Sequence, residues 1–352
     1  MLNKLSGLAT GIGSLPYKDP EKALDLIFKY CPQVPFWPQL PKRDVREGMV
    51  VQFSEGIPCL EISSAGVSFN PKDKDRKLQE FYNHIINEDV DYFQIGQNCA
   101  TGLYALKEEL QELKESRYLD FDNIRFLKLQ IIGPFTFAAS IKDERGIALL
   151  HDPVFMQAVS EGLTFKALWQ IRQFDEFGKD IIIFVDEPYL GCFGSAYTPI
   201  NREDVVKVLS DLTDRIHKSY DRVLVGVHCC GNTDWSIFIE INSIDIISFD
   251  AFGFLDKLLL YVEGLKRFFQ QDRALCWGIV PTQDFNAGVS AELLLDKIQQ
   301  AIEFLVKKGL EKEKILQNLL LSPSCGLGSL EESSAKLIFR LLSELVKKIN
   351  AQ

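Results

Sequence analysis

Two kinds of segment alternate along the chain. Short runs of apolar, mostly β-branched residues are bounded by turn residues, and between them lie longer segments in which apolar positions recur every three or four residues. A short apolar run predicts a buried strand, and the longer spacing predicts an amphipathic helix. Their alternation is typical of βαβ units with a parallel sheet. About eight such units fit the sequence, so we expect an α/β fold, a (β/α)8 TIM barrel.

The clearest predicted strands cover residues 8–14, 125–132, 180–186, 222–228, 244–250, 274–280 and 315–322. The clearest predicted helices cover residues 154–177, 202–217, 256–270, 291–308 and 331–349. The second strand has two candidates, residues 34–39, which are rich in proline, and residues 58–63. Because proline lacks the N–H that a sheet needs, neither candidate is clearly better, and the count of eight depends on one of them.

A charged, helix-prone segment at about residues 70–122 is too long for a simple connection between two strands. We therefore predict a helical insertion between the second and third strands. A chain of 352 residues is long for one domain, but α/β barrels of this size occur as single domains. The expectation is one TIM-barrel domain over residues 1–352.

Composition and charge narrow the kinds of partner. The chain is 46% hydrophobic and 25% charged, with a formal net charge of -10. An acidic chain lacks the basic surface that binds phosphate backbones, so we expect a small molecule or a protein as partner and no nucleic acid. The sequence has no apolar run of the roughly 20 residues that span a bilayer and no secretory leader pattern. A cytoplasmic protein without membrane contact is the expectation.

Eight cysteines in a chain of this length are too sparse for a disulfide scaffold. Five of them stand singly in apolar or loop contexts, where cysteine usually acts as a small hydrophobic residue; they are Cys31, Cys59, Cys99, Cys192 and Cys276. The remaining three, Cys229, Cys230 and Cys325, follow predicted strands together with other polar residues.

Polar residues collect where the predicted strands end. The strand ends carry residues 13–14, 133–134, 186–188, 228–230, 250 and 324–326. In α/β barrels the reactive groups lie at the carboxyl ends of the strands. The sequence therefore predicts that these residues share one rim.

His228 and Cys230 form an H-x-C pair directly after a predicted strand, and Cys325 follows another strand in a Pro-Ser-Cys-Gly turn. Thiolate and imidazole are the ligands that zinc prefers, and catalytic zinc sites keep three protein ligands and one exchangeable position. These residues therefore form a candidate zinc site. The alternative, that His228 ends a strand and the cysteines are core residues, stays open on the residues alone.

The motifs taken in order resemble the catalytic domain of cobalamin-independent methionine synthase, in the UROD/MetE-like superfamily. The resemblance begins with Gly-Ile-Gly-Ser-Leu-Pro at residues 11–16 and Ile-Gly-Pro-Phe-Thr at residues 132–136. It continues through Val-Asp-Glu-Pro at residues 185–188, the pair His228 and Cys230, residues 246–250 and residues 323–327. It covers most of the chain.

For the metal, the resemblance implies a barrel with a catalytic zinc held by His228, Cys230 and Cys325. Asp250 stands at the position of a fourth, carboxylate ligand, where the family usually has glutamate. Because aspartate is shorter, Asp250 either binds the metal or orients a ligand.

For the substrate, the resemblance implies that Asp186 and the turn formed by Ile12, Gly13 and Ser14 hold the amino-acid part of homocysteine, with Glu187 beside them. A role for Asp186 and Glu187 in capping the turn after the strand is the alternative.

A second carboxylate that meets the substrate ammonium in the family has no clear counterpart in this sequence. Residues 37–49 offer Gln39, Arg43, Asp44 and Glu47, and Glu61 is a further candidate.

The resemblance implies a zinc-dependent methyltransferase that methylates a small thiol, most specifically homocysteine to give methionine, and hence a role in methionine biosynthesis. The family's folate-binding barrel precedes the catalytic one, whereas this sequence starts at the catalytic motif, so the expected donor is methylcobalamin or a corrinoid protein. Alternatives are a methylcobamide:coenzyme M-type methyltransferase, a uroporphyrinogen-decarboxylase-like enzyme, and a non-catalytic zinc-holding subunit of a corrinoid complex. Few arginines near the strand ends disfavour the decarboxylase.

Overall fold

The computed structural model describes residues 5–63, 66–116, 119–195, 200–283, 285 and 288–351. Within them, seven parallel strands form one curled sheet in the order β1-β9-β8-β7-β6-β5-β4. These strands are β1 (Leu8–Ala9), β4 (Phe126–Ile132), β5 (Asp180–Asp186), β6 (Val223–Cys229), β7 (Ile246–Phe249), β8 (Ala274–Val280) and β9 (Leu319–Pro323). Two further strands, β2 (Leu60–Ser63) and β3 (Gly66–Phe69), pair antiparallel in a separate hairpin.

Helices surround the sheet. They are α1 (Pro20–Tyr30), α2 (Lys74–Ile86), α3 (Thr101–Ser116), α4 (Leu119–Asn123), α5 (Pro134–Ser140), α6 (Pro153–Asp175), α7 (Arg202–Ser219), α8 (Ser236–Glu240), α9 (Ala251–Leu258), α10 (Val262–Gln270), α11 (Ala291–Lys307), α12 (Lys312–Gln317) and α13 (Glu332–Asn350). No helix among the described residues is both long and apolar enough to cross a bilayer. The α/β class predicted from the alternating pattern is confirmed.

Most predicted elements agree with the structure within a few residues, and β5 and β8 agree at both ends. Two differ. The predicted helix 256–270 is two helices, α9 and α10, because the backbone turns at Leu259–Tyr261. The predicted strand 315–322 begins only at Leu319, since α12 occupies the residues before it.

The predicted eight-stranded ladder is corrected to seven strands. Residues 34–39 lie between the two edges of the sheet, but they make only isolated bridges, Ser14 with Gln39 and Phe36 with Lys128. Pro35 and Pro38 have no N–H to donate, which prevents a continuous ladder on either side. The other candidate second strand, residues 58–63, contributes to the hairpin and not to the main sheet. The segment 70–122 contains α2, α3 and the start of α4.

The two faces of the curled sheet pack differently. The larger apolar cluster joins the strands to the surrounding helices. The smaller cluster contains no helical residue and fills the concave side; its members are Leu5, Leu8, Val34, Phe126, Ile182, Phe184, Leu224, Ile246, Ala274, Cys276 and Leu320. Because side chains alternate along a strand, the next inward positions lie two residues further on.

Those next inward positions are polar or small. They include Lys128, Gly226, Ser248 and Ser322, all of them buried. Gly226 makes room for the Phe184 ring, which would lie 2.5 Å from a Cβ at that position. Two residues further along β5 and β6, the inward positions are Asp186 and His228. The candidate site therefore rests on a polar layer rather than directly on the apolar core.

An ion pair beside β6 and β7 gives a pH-dependent contribution to stability. His217 Nε2 lies 3.0 Å from Asp245 Oδ2, and Asp245 accepts from the Val225 N–H of β6. The hydrogen bond with Asp245 raises the pKa of His217. A raised histidine pKa stabilises the fold below the unfolded-state pKa of about 6.5, and this stabilisation is lost as pH rises through the folded-state value.

Replacing His217 with glutamine is therefore expected to lower thermal stability at about pH 5.5. The loss of stability should be clearly smaller at about pH 8.5, where the histidine is neutral. The pair is partly exposed, so the difference should stay below about 1 kcal/mol. Melting curves of both proteins at the two pH values measure it. An equal loss at both pH values would show that packing, not charge, links His217 to Asp245.

Candidate metal centre

The three residues of the predicted zinc site meet at the carboxyl end of the sheet. His228 lies near the end of β6, Cys230 directly follows that strand, and Cys325 lies two residues beyond β9. One ligand atom from each lies within 4.8 Å of the other two. Tetrahedral zinc with bonds of about 2.3 Å holds its sulfur ligands about 3.8 Å apart. The spacing suits one metal ion after small side-chain movements.

His228 is oriented as a metal ligand would be. Its Nδ1 is hydrogen-bonded to Ser248 Oγ at 2.9 Å, while its buried Nε2 has no hydrogen-bond partner among the described residues. Leaving a buried ring nitrogen unpaired is costly. A cation held by Nε2 and two thiolates removes that cost, so the donor set and its geometry fit zinc.

The two candidate thiolates interact directly. Hydrogen bonding with the Cys230 thiol and, to a smaller extent, with the His228 ring lowers the pKa of Cys325 to about 4, although burial acts in the opposite direction. The same contact raises the pKa of Cys230. The two sulfur atoms are thus close enough to bind one divalent cation together as thiolates.

Ser248 is the residue that fixes the His228 ring. With Nε2 on the metal, the proton lies on Nδ1, which donates to Ser248 Oγ. Replacing Ser248 with alanine is expected to weaken zinc binding 10- to 100-fold, the usual effect of losing a group that orients a ligand. Competition with a chromophoric chelator measures this without any assay of activity.

The matched control is Ser322→Ala, since Ser322 is equally buried on β9 and bonds to the Pro323 carbonyl and to Cys276 instead. It should leave zinc affinity unchanged. Equal losses in both variants would mean that the polar layer acts only on stability.

A pocket of about 330 Å³ opens beside the cysteines. Its lining combines the three candidate ligands with the first-strand turn and residues from other elements: Ile12, Ser14, Gln39, Pro41, Glu47, Met49, Asp186, Pro188, His228, Cys230, Cys325, Gly326, Gly328 and Ser329. The structure therefore brings three of the four predicted metal ligands and three of the five predicted substrate residues, Ile12, Ser14 and Asp186, to one cavity. Its volume is that of a small-molecule site.

Asp186 ends β5 on the pocket wall and is 3% exposed. Its Oδ1 has no hydrogen-bond partner among the described residues. Burial raises the pKa of Asp186 to about 6, while the charges of His228 and Lys128 oppose that rise. A buried carboxylate oxygen without a donor is suited to binding a cationic group of a ligand.

The first-strand turn packs tightly against its neighbours. A Cβ at Gly13 would lie 2.6 Å from Gln39 Oε1, and one at Gly326 would lie 2.3 Å from Ser14 Oγ. The Gly328 N–H donates to Ser14 Oγ at 3.2 Å. These contacts account for glycine in both motifs and place Ser14 on the pocket wall, as predicted.

Glu187 lies apart from the pocket, contrary to its predicted place beside the substrate. Its carboxylate accepts from the backbone N–H groups of Phe135 and Thr136, both at 2.9 Å, and from the Thr136 hydroxyl at 2.6 Å. It therefore caps the first turn of α5. Burial raises its pKa to about 7. The capping alternative describes Glu187, whereas Asp186 faces the cavity.

Asp250 and Cys229 lie outside the ligand group. Asp250 is the N-cap of α9 and accepts from the Gly253 N–H at 2.8 Å, and it does not line the pocket. Cys229 is buried, and its thiol donates to the Gly231 carbonyl. The structure thus groups three candidate protein ligands. Among the described residues, no carboxylate joins them as a fourth ligand.

The candidates for the second carboxylate that would meet a substrate ammonium lie in different places. Glu61 lies exposed in the hairpin, where it accepts from Asn70. Glu47 reaches the pocket wall, but its oxygens already accept from the Leu40 N–H and from Arg43. Gln39 stands on the same wall.

Two residues of the site, Ser248 and Lys128, were not predicted from the sequence. The signal for both was a polar residue at an inward position of an otherwise apolar strand.

Comparisons with known proteins add only distant similarities. No protein-family model and no curated protein matches this chain. Among solved structures, it is similar to a B12-independent methionine synthase from Shewanella sp. W3-18-1, in complex with selenomethionine, at 18% identity and a TM-score of 0.47. That match covers 70% of this chain and 66%, just under two thirds, of the other.

A protein assigned as a vitamin-B12 independent methionine synthase from Listeria monocytogenes gives 18% identity and a TM-score of 0.47 over 69% of each chain. An alpha-L-arabinofuranosidase from Thermotoga maritima gives 11% and 0.30, over 68% of this chain and 63% of the other. At such values the similarities carry no conclusion about activity, and the function has to be argued from the residues of the site.

Proposed function

We propose that this protein is a zinc-dependent methyltransferase that methylates a small thiol, with homocysteine as the acceptor and methionine as the product. The observation that carries the proposal is the convergence of His228, Cys230 and Cys325, with one ligand atom of each within 4.8 Å of the other two, on the wall of a cavity that Asp186 also lines. The motif resemblance to the methionine synthase catalytic domain names the reaction.

The three soft ligands define the chemistry of the metal. His228, Cys230 and Cys325 would hold zinc with one exchangeable position, and the metal would supply Lewis-acid activation of a thiol whose ordinary pKa is about 8.5. In the proposed transfer the acceptor sulfur would bond to the methyl carbon as the bond between that carbon and the donor breaks; the electron pair of the broken bond would stay on the donor, and the thiol proton would pass to solvent.

The protein's own residues hold the acceptor. Asp186 lines the cavity, and its buried Oδ1 has no hydrogen-bond partner among the described residues, so its carboxylate suits the ammonium of an amino-acid thiol. Ile12 and Ser14, in the first-strand turn, line the same cavity. Lys128 Nζ donates to the Ile12 carbonyl at 2.6 Å and holds that turn from below. Restricting the acceptor in this way favours the geometry needed for transfer.

We propose a methylcorrinoid, either free methylcobalamin or a corrinoid protein, as the donor. Two residues of the pocket lining reach the surface, Met49, which is half-buried, and Ser329, which is exposed, and this leaves an approach for a donor larger than the pocket. A coenzyme M-type acceptor would need a cationic group where Asp186 stands, so the charge of that side chain favours the amino-acid thiol.

The test combines zinc content of the purified protein with methionine formation from methylcobalamin and homocysteine, and with coenzyme M in place of homocysteine. One zinc per chain and turnover of homocysteine support the proposal. Absence of zinc after purification with metal supplied would refute the metal site. Zinc without turnover would direct the search to another donor or thiol.

A further inference from the structure

Gln39 and Gln52 form a buried chain of amides that begins at the pocket. Gln39 Nε2 donates to Gln52 Oε1 at 2.7 Å, and Gln52 Nε2 donates to the Cys99 carbonyl at 2.6 Å. Gln39 is 6% exposed and Gln52 is fully buried. Of the two, only Gln39 lines the pocket.

The orientation of the two amide groups follows from what each partner can donate or accept. A backbone carbonyl only accepts hydrogen bonds, so Gln52 must turn its NH2 group toward Cys99 and its oxygen toward Gln39. Gln39 must then donate to that oxygen. Its own Oε1 is left pointing the other way, toward Gly13, and receives no hydrogen bond from the described residues.

We propose that Gln39 is a specificity-determining residue that presents a neutral acceptor to the substrate, and that Gln52 is a positioning residue that fixes this orientation. The inference rests on the proposed function, in which Asp186 binds the ammonium of an amino-acid thiol. Glu47 has its carboxylate occupied by Leu40 and Arg43. The pocket therefore offers two hydrogen-bond acceptors to the substrate ammonium, the free carboxylate of Asp186 and the amide oxygen of Gln39.

A carboxylate at position 39 does not fit this arrangement. It would set two acceptors, its own oxygen and Gln52 Oε1, face to face in a buried place, and reversing Gln52 would only move the conflict to the Cys99 carbonyl. The two amides therefore favour glutamine over glutamate at position 39. Asp186 is then the unpaired carboxylate of this pocket, since Glu47 is paired with Arg43 and the Leu40 N–H.

The experiment uses the purified protein with zinc added, and compares wild type with Gln39→Met, Gln39→Glu and Gln52→Met. Calorimetry gives the affinity for homocysteine and for 4-mercaptobutyrate, which lacks the amino group. Gln39→Met is expected to lower the preference for homocysteine about ten- to hundredfold, the effect of losing one hydrogen bond to a charged donor. Gln52→Met should lower the same preference although residue 52 does not touch the pocket.

Melting curves give a second measurement that does not depend on the substrate. Gln39→Glu should melt below Gln39→Met, because the carboxylate opposes Gln52 Oε1 whereas the thioether only leaves it unpaired. Homocysteine binding by Gln39→Glu at wild-type strength, with melting at or above that of Gln39→Met, would overturn the inference.

A preference unchanged in Gln39→Met would overturn the acceptor role. A wild-type protein without preference for homocysteine would refute the proposed amino-acid substrate, and the melting order would still decide the direction of the amide chain.

Discussion

Replacing Cys325 with alanine is expected to abolish stoichiometric zinc binding and methyl transfer together. Cys325 is one of three ligands in the proposed zinc site, so its loss should weaken zinc affinity by more than the roughly 10- to 100-fold that follows loss of an orienting group. Activity should fall at least in proportion, because the remaining two ligands do not hold zinc at ordinary concentrations. Elemental analysis and the methylcobalamin assay on the same preparation measure both quantities.

The matched control is Cys229→Ala. Cys229 lies next to a predicted ligand and is fully buried, yet its thiol faces the Gly231 carbonyl and not the metal group. This variant should keep one zinc and its activity, at a stability cost of about 1 kcal/mol. Zinc retained by Cys325→Ala, or lost from Cys229→Ala, would contradict the assignment of ligands.

Replacing Asp186 with asparagine is expected to reduce kcat/KM for homocysteine roughly 30- to 1,000-fold, which corresponds to about 2–4 kcal/mol for losing one partner of a buried charge pair. Asparagine keeps the shape of the side chain, so the effect reports its charge. Most of the loss should appear as a higher KM, because the ammonium is bound equally in the ground state and the transition state.

Two measurements separate binding from structural damage in this variant. Zinc content should stay at the wild-type value, since Asp186 is not one of the grouped ligands. Turnover of 4-mercaptobutyrate should not fall, because that thiol has no ammonium to lose its partner. A parallel loss with both thiols would place Asp186 in the support of the metal ligands instead of in substrate recognition.

The residues of the candidate site were largely predictable because the fold places strand ends together. Apolar runs identified β4, β5, β6 and β8 to within a few residues. In a parallel α/β sheet every carboxyl end meets the same edge, so order along the chain was enough to bring His228, Cys230 and Cys325 to one place. The roles of the individual side chains were predicted less well.

Glu187 shows why. It is adjacent to Asp186 and chemically similar, and the sequence offered both as substrate ligands or caps. Alternation along the strand sends the two side chains in opposite directions. Asp186 lines the cavity. Glu187 instead accepts hydrogen bonds from the N–H groups at the start of α5, which directly follows β4 and lies 51 residues before Glu187 at Thr136.

By itself, the sequence determined the α/β class and the shared edge on which three soft candidate metal ligands lie, because these depend on local periodicity and residue type. Tertiary structure alone decided the seven-stranded ladder, the capping role of Glu187, the contact of Ser248 with His228 and the orientation of the Gln39 amide. Each of these depends on which hydrogen-bonding groups from distant parts of the chain are left without a partner, and that is settled only when the elements pack.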